Sequence, residues 1–259
     1  MEMSQVLNVN NLCKTYIVNK RQNNVLRNVM FSMEEGDFVS IMGPSGSGKS
    51  TLLYTVSGMD RLTAGKVTFS GRDISNLNPN EMSDVRINDM GFIFQQMHML
   101  RNLSIYDNII ISAYNSRNGR TQEQRKQINE YAKELMQKLE IIEIADNDIT
   151  EVSGGQLQRA CICRALINKP KMIFADEPTG ALNSKAAREV MSELVHINED
   201  GTSILLVTHD VTVAAKTDKV LYIMDGNIQG EYYLGKYTEG LNPKERERKL
   251  SSWLMDMGW

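Results

Sequence analysis

Short runs of β-branched and apolar residues punctuate the chain and stop abruptly at glycine or a polar residue. They are Phe38–Met42, Val67–Phe69, Gly91–Phe94, Met172–Ala175, Ile204–Val207 and Val220–Met224. Those after Pro170 are apolar almost throughout. A strand wetted on one face alternates apolar with polar residues, whereas a strand covered on both faces need not. The pattern therefore predicts buried strands of a parallel sheet with helices between them. The clearest helix is predicted over Thr121–Leu139, where Thr121 can cap the start and Ile128, Ala132, Leu135, Met136 and Leu139 recur at three- and four-residue spacing. No strand pattern stands out between Gln96 and Pro170, which predicts a helical insertion between the strands ending at Phe94 and Ala175.

At 259 residues the chain exceeds the roughly 100–200 residues of a typical domain, so one large α/β domain or a core with an inserted subdomain is expected. Apolar residues at 41% and charged residues at 24% are the balance of a folded globular protein and exclude a largely disordered chain. With 29 Lys and Arg against 32 Asp and Glu, it lacks the basic excess of a dedicated nucleic-acid binder, and no nucleic-acid partner is expected. No run approaches the roughly 20 apolar residues of a membrane span, and Met1–Gln5 has neither the basic start nor the apolar centre of a signal peptide. A cytoplasmic protein is expected. Cys13, Cys161 and Cys163 are odd in number and read as reduced, small, buried side chains; His98, His196 and His209 are too scattered for a metal cluster.

The run Phe38–Met42 leads directly into Gly43, Pro44, Ser45, Gly46, Ser47, Gly48, Lys49, Ser50 and Thr51. This matches G-x-x-x-x-G-K-[ST] in its required place between strand and helix. The glycines let successive N–H groups turn inward on phosphate oxygens, and a helix starting near Lys49 adds its positive end. Lys49 is expected to reach the outer phosphates and Ser50 to coordinate Mg²⁺. After the strand Met172–Ala175 stand Asp176, suited to hold Mg²⁺, and Glu177, placed to polarise an attacking water.

Val152, Ser153, Gly154, Gly155 and Gln156, upstream of Asp176, resemble the signature of the ATP-binding-cassette (ABC) ATPases. The resemblance covers about residues 5–230, with its motifs in the family's order. It implies a P-loop NTPase (RecA-like) α/β core with a mostly parallel sheet, an antiparallel β subdomain and an inserted α-helical subdomain. The ATP-binding domain would span 1–238 with its helical insert at about 97–168, and 239–259 would form a helical tail. By resemblance, Tyr16 is the aromatic that stacks on adenine. Gln95 is the glutamine that links Mg²⁺ to the helical insert, His209 is the switch histidine, and Asn183 occupies the D-loop position. Catalysis would fall to Glu177, His209 and Gln95, with Mg²⁺ on Ser50, Gln95 and Asp176.

Ser153, Gly154 and Gly155 precede a helix expected to start near Gln156, giving a second helix N-terminus able to receive an anion. The resemblance implies that each signature caps the γ-phosphate held by the opposite subunit, so that ATP joins two copies head to tail. Two positions depart from the family pattern. Val152 replaces Leu, a small change of volume, and Asn183 replaces Asp, which keeps size and hydrogen bonding but removes a charge at the subunit junction.

Gly91–Gln95 and Phe174–Leu182 look most like the lipoprotein-releasing, macrolide-exporting (LolD/MacB), FtsE-type and bacitracin-resistance (Bce-type) cassettes. Gly180–Lys185 is closest to the Bce type. The implied partner is a separate membrane permease, which would hold the chain on the inner face of the cell membrane. The implied work is export of antimicrobial peptides or extraction of lipid or lipoprotein, or else FtsE-like signalling to a division partner. The permease surface is expected from Gln95 to about Asn118, including His98, Met99, Leu100 and Ile105, although Met97, Met99 and Leu100 also suit the core of the insert. Pro243–Lys249 is a charged helix start, followed at helical spacing by Leu250, Trp253, Leu254 and Met257. This helix packs on the core or across a dimer, or lies at a lipid or membrane-protein surface.

Overall fold

The computed structural model describes residues 4–238 and 241–259. Met1–Met3, part of the stretch Met1–Gln5 read for signal-peptide features, and the expected boundary at residue 239 lie outside the described residues. In chain order the elements are β1 (Gln5–Val18), β2 (Arg21–Glu34), β3 (Phe38–Met42), α1 (Lys49–Val56), β4 (Ala64–Phe69), β5 (Arg72–Asp73), α2 (Pro79–Asp89) and β6 (Met90–Phe94). There follow α3 (Ile105–Tyr114), α4 (Gln122–Lys138), α5 (Gly154–Leu166), β7 (Met172–Asp176), α6 (Ser184–Glu199), β8 (Ser203–Val207), α7 (Val211–Ala214), β9 (Lys219–Met224), β10 (Asn227–Tyr233) and α8 (Pro243–Asp256).

The chain forms two compact units, Met1–Met82 with Val195–Trp259, and Ser83–Leu194. In the first, β3 lies between β8 and β9, parallel to both, and β10 closes antiparallel on β9. All five residues of β3 and of β8 are buried, which is why their sequences do not alternate. Beside them the same unit carries an antiparallel sheet in the order β2-β1-β4-β5. Its long strands β1 and β2 slip register several times, and Asn11 adopts φ +49° within β1. Such bulges break the two-residue period that would mark a strand in the sequence.

In the second unit β6 runs parallel to β7, and α3 packs against α4 and α5. The helix expected over Thr121–Leu139 is present as α4: the Thr121 hydroxyl and the Gln124 side chain form a capping box, and Ile128, Ala132, Leu135 and Met136 face inward. Two expectations need correction. The helix placed near Gln156 begins at Gly154, because Ser153 caps it and Gln156 returns the bond to the Ser153 N–H. Ile105, assigned to the permease surface, is wholly buried as the first residue of α3.

The C-terminal helix packs on the core of the first unit. Leu250 and Leu254 are fully buried among Met42, Ala214, Ala215, Val220 and Tyr222, and Trp253 stacks on Tyr232 at 5.2 Å. Within the charged run, the Arg246 guanidinium donates to the carbonyl oxygens of Ala215 at 2.7 Å and of Leu234, Thr217 and Gly235 at 2.9 Å. Thus the helix closes backbone acceptors as well as burying apolar surface. Leu254→Ala should lower unfolding free energy by about 2–5 kcal/mol in chemical denaturation; a loss below about 1 kcal/mol would show that α8 adds little to the core.

Candidate nucleotide site

The first unit holds the phosphate loop. Leaving β3, the chain passes so close to β9 that a Cβ on Gly43 would fall 2.0 Å from the Ile223 carbonyl oxygen. At the other end Gly48 caps α1 with φ +102°, a conformation that strains any residue bearing a Cβ. A glycine cap offers no side-chain acceptor to the first-turn N–H groups, so this helix start is built to receive an anion from outside the chain. The Lys49 ammonium folds over the loop, donating to the Gly43 and Pro44 carbonyls at 2.8 and 2.9 Å. The Ser47 hydroxyl is buried with no hydrogen-bond partner among the described residues. Both features fit a bound phosphate.

Beside this loop, β8 pairs with β3 so that Val207 lies opposite Ile41, and the Thr208 N–H donates to the Ile41 carbonyl at 3.2 Å. The register brings exposed His209 to the same strand end from which the loop departs. Tyr16, on β1, is half-buried. Its hydroxyl donates to Asp60 Oδ2 at 2.5 Å, and the Lys14 ammonium lies 4.6 Å from its ring centroid. Burial and the Asp60 carboxylate raise the Tyr16 pKa. Burial pushes the Asp60 carboxyl up, yet hydrogen bonds from Lys14 and Tyr16 outweigh it and hold its pKa below the ordinary value.

The second unit gathers the remaining candidates. Phe94 and Asp176 are paired at the ends of β6 and β7, and Gln95 and Glu177 are the residues that follow these two strand ends. Asp176 is buried at 8% exposure. Glu177 adopts φ +48°, the left-handed region that non-glycine residues rarely occupy, and its carbonyl accepts from the Gly180 N–H at 3.0 Å. A Cβ on Gly180 would lie 2.9 Å from Gln95 Nε2, so the Gln95 amide rests on the turn that fixes Glu177. Ser153, Gly154 and Gly155 line a cavity of about 330 Å³ together with Asn183, Leu182 and Arg159. The Asn183 side-chain oxygen Oδ1 accepts from the Lys185 and Ala186 N–H groups at 3.1 and 3.0 Å. This satisfies the first turn of α6 as an aspartate would, without the charge.

Sequence reasoning missed several residues at these places. Lys14 and Asp60 give no local signal, since their pairing joins positions far apart in the chain. Arg164, on α5, donates to the Met97 and His98 carbonyls at 2.6 and 2.8 Å. It thereby pins two residues of positive φ just after Gln95. Gly180 is visible only as part of a motif. All three cysteines are free; Cys161 and Cys163 are buried as expected, whereas Cys13 is only half-buried, and burial raises the Cys161 thiol pKa to about 11. No cluster of three or more His, Cys, Asp or Glu able to hold a metal ion occurs among the described residues.

The ABC transporter family profile matches residues 26–180, more than half the chain, and the chain belongs to that family. The bacitracin export ATP-binding protein BceA of Halalkalibacterium halodurans is 38% identical over 231 residues, which is 89% of this chain and 89% of BceA. The lipoprotein-releasing system ATP-binding protein LolD of Wigglesworthia glossinidia brevipalpis is 38% identical over 229 residues, 86% of this chain and 96% of LolD. The dimeric structure of the ABC transporter cassette MJ0796, a protein of Methanocaldococcus jannaschii, superposes with a TM-score of 0.81 at 36% identity, covering 89% of this chain and all of that one. The same cassette, dimeric and bound to ADP and Pi after hydrolysis, gives a TM-score of 0.80. The chain is therefore an ABC ATPase of the LolD, MacB and Bce type, an ATP-hydrolysing subunit of an ABC transporter. No described helix is long and apolar enough to cross a membrane.

The contact between Gly180 and Gln95 yields a selective test. Gly180 has an ordinary backbone conformation, and the obstruction to a methyl group is the movable end of one side chain. Gly180→Ala should leave the melting temperature near that of the wild type while displacing the Gln95 amide, lowering steady-state ATPase activity by about tenfold or more. A wild-type rate would remove Gln95 from the reaction.

Proposed function

We propose that the loop Gly43–Thr51 holds the triphosphate of ATP and that Glu177 orients and deprotonates the attacking water. The observation that carries this reading is the glycine-capped start of α1 with Lys49 folded over it and Ser47 buried without a partner. Loop N–H groups and Lys49 neutralise charge on the outer phosphates. Glu177, set by its left-handed backbone at the end of β7, acts as general base toward water. Gln95 positions that water, and exposed His209 contacts the γ-phosphate. Ser50, Asp176 and Gln95 would hold Mg²⁺; their oxygen donors suit a hard cation otherwise bound by substrate phosphates. When bound, the ion neutralises developing charge between the phosphates. Tyr16 stacks on the base.

The second helix start, Ser153–Gln156 on α5, caps the γ-phosphate of the opposite copy, so two ATP molecules lie between two subunits arranged head to tail. The cavity that joins Ser153, Gly154 and Gly155 to Asn183 supports this arrangement. The permease docks on the segment after Gln95, where His98 and Leu100 are exposed, and places the protein on the inner face of the membrane. Likeness to BceA and LolD supports export of antimicrobial peptides or release of lipoproteins as the work performed.

Glu177→Gln keeps the shape of the site but removes the base. ATP binding should persist, phosphate release should fall by a factor of about 100 or more, and an ATP-bound dimer should accumulate in size-exclusion chromatography. Hydrolysis at the wild-type rate would refute the role of Glu177.

A further inference from the structure

Lys14, Tyr16 and Asp60 form a closed triangle in the first unit. The Lys14 ammonium donates to Asp60 Oδ1 and to the Arg61 carbonyl, each at 2.6 Å, while standing 4.6 Å from the Tyr16 ring centroid. The Tyr16 hydroxyl donates to the other carboxylate oxygen of Asp60. Asp60 itself follows α1, its N–H bonded to the Tyr54 carbonyl at 3.0 Å, and Thr63 just beyond it is tied to β1 through Thr15 and Cys13. The ring is thus anchored at its phenolic edge to the segment that follows α1.

Lys14, buried at 7% exposure, occupies one face of the ring, and Tyr16 as a whole stays only half-buried, so the ring keeps area that the ammonium does not take up. A cation on one face of an aromatic ring draws electron density toward itself, which leaves the opposite face better suited to an electron-rich purine. Burying an ammonium costs free energy unless it is paired; Asp60 supplies the pairing and at the same time fixes the ring.

We propose that Lys14 and Asp60 are positioning residues for nucleobase recognition: together they lock and polarise Tyr16 as a one-sided platform for the purine of ATP. The proposal rests on the assignment of Tyr16 to the base, and the test separates the two. The probes are ATP and inorganic tripolyphosphate, each with Mg²⁺, titrated against the full-length protein and its Tyr16→Ala, Lys14→Met and Asp60→Asn variants. Tripolyphosphate contains the phosphates without the base.

Tyr16→Ala should weaken ATP by roughly ten- to hundredfold, and Lys14→Met and Asp60→Asn by roughly three- to tenfold. All should bind tripolyphosphate as the wild type does. In steady-state assays the two cluster variants should raise KM for ATP and keep kcat. If Tyr16→Ala alone loses ATP affinity, stacking stands and the positioning role is wrong. If Tyr16→Ala binds ATP normally, the stacking assignment fails and the proposal with it. Parallel loss of both probes in Lys14→Met and Asp60→Asn would make the triangle a prop for the phosphate loop and overturn the proposal.

Discussion

The tightest constraint in the molecule is the turn by which the chain leaves β3 and enters α1. The strand is buried along its whole length, its exit grazes the Ile223 carbonyl so closely that only glycine fits at position 43, and the helix begins on a glycine in the left-handed region. A helix that starts without a side-chain cap leaves donors for an outside acceptor. That local choice makes an anion site, and its neighbours are placed by reference to it. The β3–β8 register carries His209 to the same strand end, and Asp60 ties Tyr16 to the segment that follows α1.

The other helix starts contrast with this one. At α5 the first turn is served by Ser153 and Gln156 in a capping box, and at α6 by Asn183. These helix starts are thus served by side chains of their own segments. Asn183 reproduces the capping of the usual aspartate as a neutral group. What its lost charge alters is the electrostatics of the lining of the cavity it shares with Ser153, not the start of α6.

Much of this was legible in the sequence because chemistry at strand ends requires unusual residues. The glycines of the phosphate loop, Asp176 with Glu177, and Ser153–Gln156 all interrupt apolar runs, and fully buried strands such as β7 and β8 announce themselves by lack of alternation. The strands that escaped notice are those whose pattern is broken. In β1 a residue at positive φ and repeated register shifts erase the two-residue period, and β10 alternates half-buried with exposed residues and offers no apolar run. Ile105 was misplaced because an apolar residue in a polar segment reads equally as a surface contact or a helix anchor, and its burial depends on α3 packing against α4 and α5. The Lys14–Asp60 pair and the grip of Arg164 on Met97 and His98 are tertiary contacts with no local trace.

The central claim is that one ATP is held by the glycine loop of one copy and the serine-glycine-glycine corner of the other. Complementation tests it directly. Lys49→Ala disables the loop. Gly154→Asp sets a carboxylate at the start of α5, where a Cβ lies no nearer than 3.6 Å to Leu182 Cδ2, and repels phosphate without crowding the fold. Each variant alone should be inactive, and mixing them should restore ATPase activity, because the mixed dimer contains one intact loop facing one intact corner. A mixture as inactive as its components would contradict a site shared between two subunits.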